Sequence, residues 1–168
     1  MSVPIFQSAT FVHPGVGQST GYDYSRLQNP TREVLERQLA QMENGLDALA
    51  FSSGMAAMAA CMELFAPGDH LLASDDLYGG SYRLFAHLAA AKGMNFDLVN
   101  TSDPAAVEAA LRPETKVILV ETPTNPMMQV TDIARMAQIC RDRGLLLLVD
   151  NTFLTPYYQK PLQLGADI

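Results

Sequence analysis

Leu145-Leu146-Leu147-Leu148-Val149-Asp150-Asn151-Thr152 is the stretch that decides the fold. Five apolar residues end abruptly in a carboxylate. A run that is apolar without alternation is the pattern of a strand in a parallel sheet covered on both faces. Its last residue then stands at the carboxyl edge of the sheet, where open α/β folds bind ligands. A buried carboxylate needs a cationic or hydrogen-bonding partner, since without one it is costly or changes its protonation state. No cation neighbours Asp150 in the sequence, which leaves a ligand, such as the protonated ring nitrogen of a cofactor, as a candidate partner. From this residue alone, a capping aspartate that starts the next loop is the alternative.

Upstream of this strand the pattern alternates. A helix over 132–143 is closed by Gly144, and a strand over 117–120 ends at Glu121. A helix over 104–111 is capped by Asp103, a strand covers 96–99, and a helix over 79–91 stops at Gly93. Pro67-Gly68-Asp69 turns into a strand over 71–73, preceded by an Ala/Met-rich helix over 54–65 and a short apolar strand over 48–51. Repeated strand-helix units predict an α/β fold: a mostly parallel sheet with helices on both faces. Farther back, Asn29-Pro30 opens a helix, with Asn29 as cap, Pro30 in the first turn and Gly45 at its close. Val34, Leu35, Leu39 and Met42 form its apolar face. Residues 1–28, punctuated by Pro4, Pro14, Gly15, Gly17 and Gly21, read as an extended or looping arm. Downstream, Gly165 reads as a helix stop and Asp167-Ile168 as the start of another strand, so the sequence reads as part of a longer protein.

Composition excludes several classes. The chain has 168 residues, 48% hydrophobic and 17% charged, enough for a packed core. Its net charge of −7, without a basic cluster, argues against nucleic acid and against an anionic membrane surface. No apolar run reaches the length of a spanning helix. Met1-Ser2-Val3-Pro4 has neither the basic nor the apolar region of a signal peptide. Cys61 and Cys140 fall in helix-like segments and read as small core residues, which suits a reduced cytoplasmic setting. His13, His70 and His87 are scattered without ligand spacing, so no metal site is expected.

Four motifs can carry chemistry. Ser52-Ser53-Gly54-Met55 follows a strand and opens a helix, where free N–H groups form an anion site and glycine admits a phosphate. Asp76-Leu77-Tyr78-Gly79-Gly80-Ser81 puts a tyrosine before a helix; its ring can stack on a flat ligand and its hydroxyl can move a proton. Glu121-Thr122-Pro123-Thr124-Asn125-Pro126 holds Asn125 between two prolines, where its amide can donate to a phenolate or a carboxylate. Tyr22-Asp23-Tyr24-Ser25-Arg26 lies in the arm, with a tyrosine and an arginine suited to a phosphate. Singly these are also a capped turn, a surface tyrosine, a stiff loop and a solvated loop. Together they describe a phosphate, an aromatic ring with a basic nitrogen, and a ring oxygen: pyridoxal phosphate.

In order along the chain, Pro4-Ile5-Phe6-Gln7-Ser8-Ala9-Thr10-Phe11, Tyr24-Ser25-Arg26 with Asn29-Pro30-Thr31, Ser53-Gly54-Met55-Ala56, Tyr78-Gly79-Gly80, Glu121 to Pro126 and Val149-Asp150-Asn151-Thr152 resemble the trans-sulfuration (Cys/Met metabolism) family of pyridoxal-phosphate enzymes. The resemblance implies the large cofactor domain of a fold-type I enzyme, present here as its front part, 29–168, behind an arm, 1–28, that contacts a neighbouring subunit. It implies that Asp150 pairs with the pyridine nitrogen and that Tyr78 stacks on the ring and assists proton transfer. Ser53, Gly54 and Met55 would hold the phosphate, with Tyr24 and Arg26 reaching the phosphate of a neighbouring subunit's cofactor. Asn125 would lie near the ring oxygen and the substrate carboxylate, Thr152 near the ring, and Arg83 near substrate, with a surface arginine as the alternative for the last. A homo-oligomer is implied, a dimer at least and a tetramer by expectation.

The family's Schiff-base lysine follows Gly-Ala-Asp in a Ser-x-Thr-Lys run, and Lys92, Lys116 and Lys160, the chain's three lysines, lack that context. The chain alone is therefore expected to be inactive. Gly79-Gly80-Ser81-Tyr82-Arg83-Leu84-Phe85 looks most like the cystathionine γ-synthase and acyl-homoserine sulfhydrylase branch. The expected reaction is γ-replacement on an acyl-homoserine. A cystathionine or methionine lyase, a non-catalytic cofactor-domain fragment and an unrelated nucleotide binder are the alternatives.

Overall fold

A computed structural model describes residues 3–168 as two compact units, one running to Ala50 and one from Phe51 to Ile168. Met1 and Ser2, with which the predicted arm begins, lie outside the described residues.

The first unit is an arm tied to a helix. Thr10 and Tyr24 form an antiparallel bridge, flanked by Ser25 N–H to Ala9 O at 2.9 Å and Phe11 N–H to Asp23 O at 3.2 Å. Helix α1, Pro30–Glu43, starts where the sequence predicts it. The Asn29 side chain accepts from Thr31 N–H at 2.9 Å and Arg32 N–H at 3.4 Å, and Pro30 supplies a fixed φ in the first turn. The same Asn29 amide donates to Phe6 O at 3.1 Å, while Phe6 N–H donates to Thr31 Oγ1 at 2.9 Å, so the cap also anchors the arm. The helix ends one residue earlier than predicted: Asn44, not Gly45, takes the left-handed position at φ 58°, and Gly45 N–H turns back to Ala40 O. Asparagine tolerates that region, and the following N–H satisfies a terminal carbonyl. The predicted apolar face is only partly covered, with Leu35 and Met42 49% and 50% exposed.

The second unit is the predicted doubly covered sheet. Its strands are β1, His70–Ser74; β2, Asn95–Val99; β3, Thr115–Glu121; and β4, Leu146–Asp150. All pairings are parallel, in the order β2-β1-β3-β4. The helices are α2, Gly54–Met62; α3, Gly79–Lys92; α4, Pro104–Ala110; α5, Ile133–Arg143; and the short α6, Thr155–Tyr158, followed by a 3-10 turn, Pro161–Leu164. Alternation along each strand divides the core. Leu71, Ala73, Val117, Leu119 and Leu148 pack on one face with Met62, Phe85 and Leu88. Leu72, Ile118, Val120 and Leu147 pack on the other with Val107, Ile133, Met136 and Cys140. Both alternating sets are buried along the middle of β1, β3 and β4, which is why these strands read as apolar runs, whereas the edge strand β2 is partly exposed. Cys140 is a core residue as predicted, its thiol pushed up to about 12 mainly by burial. Cys61, half-buried on α2, packs at the edge of the first core.

One segment differs from the sequence reading and another follows it. Residues 48–51 are not a strand: among the described residues no ladder partner runs beside them, and Ala50 N–H is taken by the Glu36 carboxylate at 2.9 Å. A four-residue apolar run specifies a strand only where a neighbouring backbone accepts it. Asp167-Ile168 does lie along β4. Ile168 N–H donates to Leu147 O at 3.3 Å and Val149 N–H to Ile168 O at 2.9 Å, a parallel pairing.

A candidate cofactor site at the carboxyl edge of the sheet

The strand order reverses direction at β1 and β3: β2 follows β1 to one side, and β3 and β4 follow to the other. Loops leaving adjacent strands at such a point diverge to opposite faces and open a crevice. A cavity of about 370 Å³ lies there, bounded by the start of α2 and the loops after β1, β3 and β4. Ser53, Gly54, Met55, Tyr78, Asn125, Asp150 and Thr152 all line it, so seven sequence-predicted site residues converge. Arg83, exposed on α3, is outside the lining. Tyr24 and Arg26 belong to the first unit, where both are exposed and the Arg26 guanidinium lies 5.3 Å from the centre of the Tyr24 ring.

At the start of α2 the Ser53 hydroxyl accepts from Ala56 N–H at 3.1 Å. The Ser53 carbonyl takes Ala56 and Ala57 N–H, which leaves Gly54 and Met55 N–H, in the first turn, with no intrahelical acceptor. With the dipole of a nine-residue helix behind them, these groups suit an anion. Tyr78 takes the cap position of α3 without a side-chain cap bond, its ring half exposed over the cavity. Gly80 is the residue that admits this ring. A Cβ there would come within 2.4 Å of Tyr78 Cε1 and 2.9 Å of Met55 Sδ.

Asp150 ends β4 half-buried, not fully buried as the apolar run predicts. Its Oδ1 accepts from Thr152 N–H at 3.0 Å and from the Thr152 hydroxyl. The capping alternative is therefore real, yet it occupies one oxygen. Among the described residues no side chain or amide donates to Oδ2, on a residue that lines the cavity. A carboxylate with one oxygen braced and the other facing a cavity suits a cationic N–H.

The residue that sequence reasoning missed is Glu121. It is the register partner of Asp150, and the two acids alternate in step with Leu119 and Leu148, toward the α2 and α3 face. Glu121 is 7% exposed, and its carboxylate accepts from Tyr78 N–H at 2.8 Å and Asn125 N–H at 2.9 Å. Burial raises its carboxyl above the usual range, and the Asp150 and Asp76 charges push the same way, while the two N–H bonds hold it down. The available signal was that β3, like β4, is an apolar strand ended by an acid. The Thr122-Pro123 and Asn125-Pro126 peptide bonds in this loop are cis.

The donor set fits pyridoxal phosphate at three points: free amides for the phosphate, an aromatic face for the ring, and an anionic oxygen for its nitrogen. None of the three lysines lines the cavity. No group of three or more acidic, His or Cys side chains suited to a metal is found among the described residues, and no helix there is long and apolar enough to cross a membrane.

Comparison with known proteins agrees with this geometry. Over 168 residues the chain is 52% identical to cystathionine gamma-lyase of Bacillus subtilis, covering 100% of this chain and 44% of that protein. It is 51% identical to the cystathionine gamma-synthase/O-acetylhomoserine (thiol)-lyase of the same organism, covering 100% of this chain and 45% of that protein. The crystal structure of cystathionine gamma-lyase from Lactobacillus plantarum complexed with L-serine superposes with a TM-score of 0.94 at 48% identity, over 99% of this chain and 43% of that one. The chain thus spans less than half the length of these relatives. Since the pattern of one family matches residues 1–168 throughout, the chain belongs to the Cys/Met metabolism PLP-dependent enzymes.

Proposed function

We propose that this chain is the front part of the cofactor domain of a pyridoxal-phosphate enzyme of sulfur amino acid metabolism, acting by γ-replacement on an acyl-homoserine to give cystathionine or homocysteine. The observation that carries the reading is the convergence of free Gly54 and Met55 amides, the Tyr78 ring and the unbraced Asp150 oxygen on one cavity. When bound, pyridoxal phosphate supplies an electron sink for negative charge developing at the substrate α-carbon. Asp150 Oδ2 accepts the ring N–H and keeps that nitrogen protonated. Thr152 holds Oδ1 and so aims Oδ2. Gly54 and Met55 amides bind the phosphate, with Ser53 fixing the turn that presents them. Tyr78 covers the ring face, and its hydroxyl moves a proton at the leaving group. The Asn125 side-chain amide donates toward the ring oxygen and the substrate carboxylate, and Arg83 approaches substrate from α3.

Tyr24 and Arg26 reach the cofactor phosphate of a neighbouring subunit from the 1–28 arm, which makes the working protein a dimer at least, with a tetramer expected. Their exposure and mutual stacking support that reading. Because no lysine lines the cavity, the 168 residues alone form no Schiff base with the cofactor and do not turn over. The free thiols Cys61 and Cys140 support a reduced, cytoplasmic setting. A cystathionine lyase is the second reading, favoured by the 52% identity to the B. subtilis gamma-lyase. Product analysis on the full-length protein separates the two. Cystathionine or homocysteine from an acyl-homoserine and a thiol is expected; a 2-oxo acid and ammonia from cystathionine, with no replacement product, would establish the lyase. Arg26→Ala is expected to weaken cofactor retention in a confirmed oligomer, and unchanged retention there would remove the arm from the site.

A further inference from the structure

Two loops face each other across the crevice, 75–78 after β1 and 121–129 after β3, and each sends one carboxylate into the other. From the β3 side, Glu121 Oε2 accepts Tyr78 N–H at 2.8 Å while Oε1 accepts Asn125 N–H at 2.9 Å. From the β1 side, Asp76 Oδ2 accepts Met127 N–H at 2.9 Å and the Thr124 hydroxyl. Beneath them runs a buried hydroxyl chain. Ser74 Oγ lies 2.9 Å from Thr101 Oγ1, which lies 2.7 Å from Thr131 Oγ1, and Thr122 Oγ1 accepts Thr131 N–H at 3.0 Å. Ser74 Oγ also accepts Glu121 N–H at 3.2 Å.

The pattern is not what stability alone favours. A buried carboxylate flanked by Asp150 and Asp76 is expensive, and a neutral or apolar residue would close a sheet edge at lower cost. What a carboxylate offers in return is two acceptor oxygens on one rigid plane, able to tie two backbone N–H groups to one point. Those groups belong to Tyr78 and Asn125, two residues that line the cavity.

Resting on the cofactor reading above, we propose that Glu121 is the positioning residue of this site: it bridges the backbones of Tyr78 and Asn125 and, with Asp76 reaching back, clasps the two loops at one spacing. That spacing sets where the stacking ring and the donating amide stand relative to a flat heteroaromatic ligand between them. Glu121 itself need not touch the ligand.

The test is amide hydrogen exchange, resolved to Tyr78 and Asn125, on the whole chain and on its Glu121→Gln and Glu121→Ala variants. In the unsubstituted chain both amides are protected. In Glu121→Gln one oxygen remains as an acceptor and the other becomes an N–H donor facing an N–H. One of the two amides then exchanges roughly tenfold faster or more, the factor expected for one charge-assisted bond, and the other keeps its protection. In Glu121→Ala both accelerate. The Leu119 and Leu148 amides stay as they were, a local signature that general loosening of the sheet would not produce. Should the alanine variant fail to fold, the unsubstituted chain and Glu121→Gln decide alone. Free exchange at both amides in the unsubstituted chain, unchanged protection in Glu121→Gln, or uniform acceleration across β1, β3 and β4 would each overturn the proposal. Equilibrium dialysis against pyridoxal phosphate is run in parallel and keeps the two readings apart. Loosened loops in chains that never take the cofactor would sustain the clasp and remove the cofactor, and cofactor bound by loops that do not loosen would do the reverse.

Discussion

β3 and β4 are neighbours that end in register-paired acids, Glu121 beside Asp150, and the two acids are used in opposite ways. Glu121 is buried and has both oxygens committed to backbone N–H groups of loops that form the cavity wall. Asp150 is half-buried and spends one oxygen on Thr152, keeping the other for whatever enters the cavity. Identical chemistry at adjacent strand ends thus divides into building the wall and addressing the ligand. The difference lies in the donors each strand end meets. The loops after β1 and β3 bring Tyr78 and Asn125 N–H to Glu121, whereas Asp150 takes its donors from Thr152, two residues on.

Removing the ligand-facing acid is the hardest test of this contrast. In the full-length protein Asp150→Ala should weaken pyridoxal phosphate binding by roughly tenfold to a hundredfold, the worth of one charge-assisted bond of about 1.5–3 kcal/mol, with the far-ultraviolet circular dichroism unchanged. Near-normal affinity and turnover in that variant would leave Asp150 a loop cap and nothing more. Crowding the wall comes next. Gly80→Ala places a methyl 2.4 Å from Tyr78 Cε1, and since the ring is half exposed it should swing aside, at a cost of about 1–3 kcal/mol. A shift of the Tyr78 ring resonances, with Glu121-bound amides still protected, would show that wall and ring are separately adjustable; an unmoved ring would refute the close contact. Thr152→Val keeps the shape and removes one bond to Asp150 Oδ1, for an expected loss of about 1 kcal/mol in urea unfolding and a smaller loss of cofactor affinity.

The smallest effect is a pH limb. Burial raises the Glu121 carboxyl above its ordinary 4.5, so the native state holds that proton to higher pH than the unfolded chain does. The contribution is fully present below the ordinary value and is lost as pH rises through the raised one. Glu121→Gln should lack that limb when urea midpoints are plotted against pH. Parallel curves for the two proteins would show that Glu121 titrates as an ordinary carboxylate.

Much of the site was legible because its residues lie in local motifs. Ser53-Gly54-Met55 is a cap and a helix start, Tyr78 precedes two glycines, and Asp150 ends an apolar run. Each such signal is contained within a few residues, where backbone preference and hydrogen bonding act without help from afar. Glu121 stood equally visible at the end of its strand, but its role depends on Tyr78, forty-three positions away, and on a register that no local pattern contains. The error over 48–51 has the same origin: a short apolar run is a strand only when another backbone lies alongside.

By itself, then, the sequence determined the alternating strand-helix order, the helix caps at Asn29, Ser53 and Asp103, and the doubly buried character of the central strands β1 and β3, because periodicity, glycine and proline geometry and side-chain capping act locally. Only the tertiary structure decided the order β2-β1-β3-β4, and with it which strand ends share a crevice. It alone made one of two adjacent carboxylates a brace and left the other an open oxygen. The bonds from Thr152 to Asp150 and from Asn125 to Glu121 are local, but the Tyr78 N–H that makes Glu121 a bridge comes within about 3 Å only through the folded sheet.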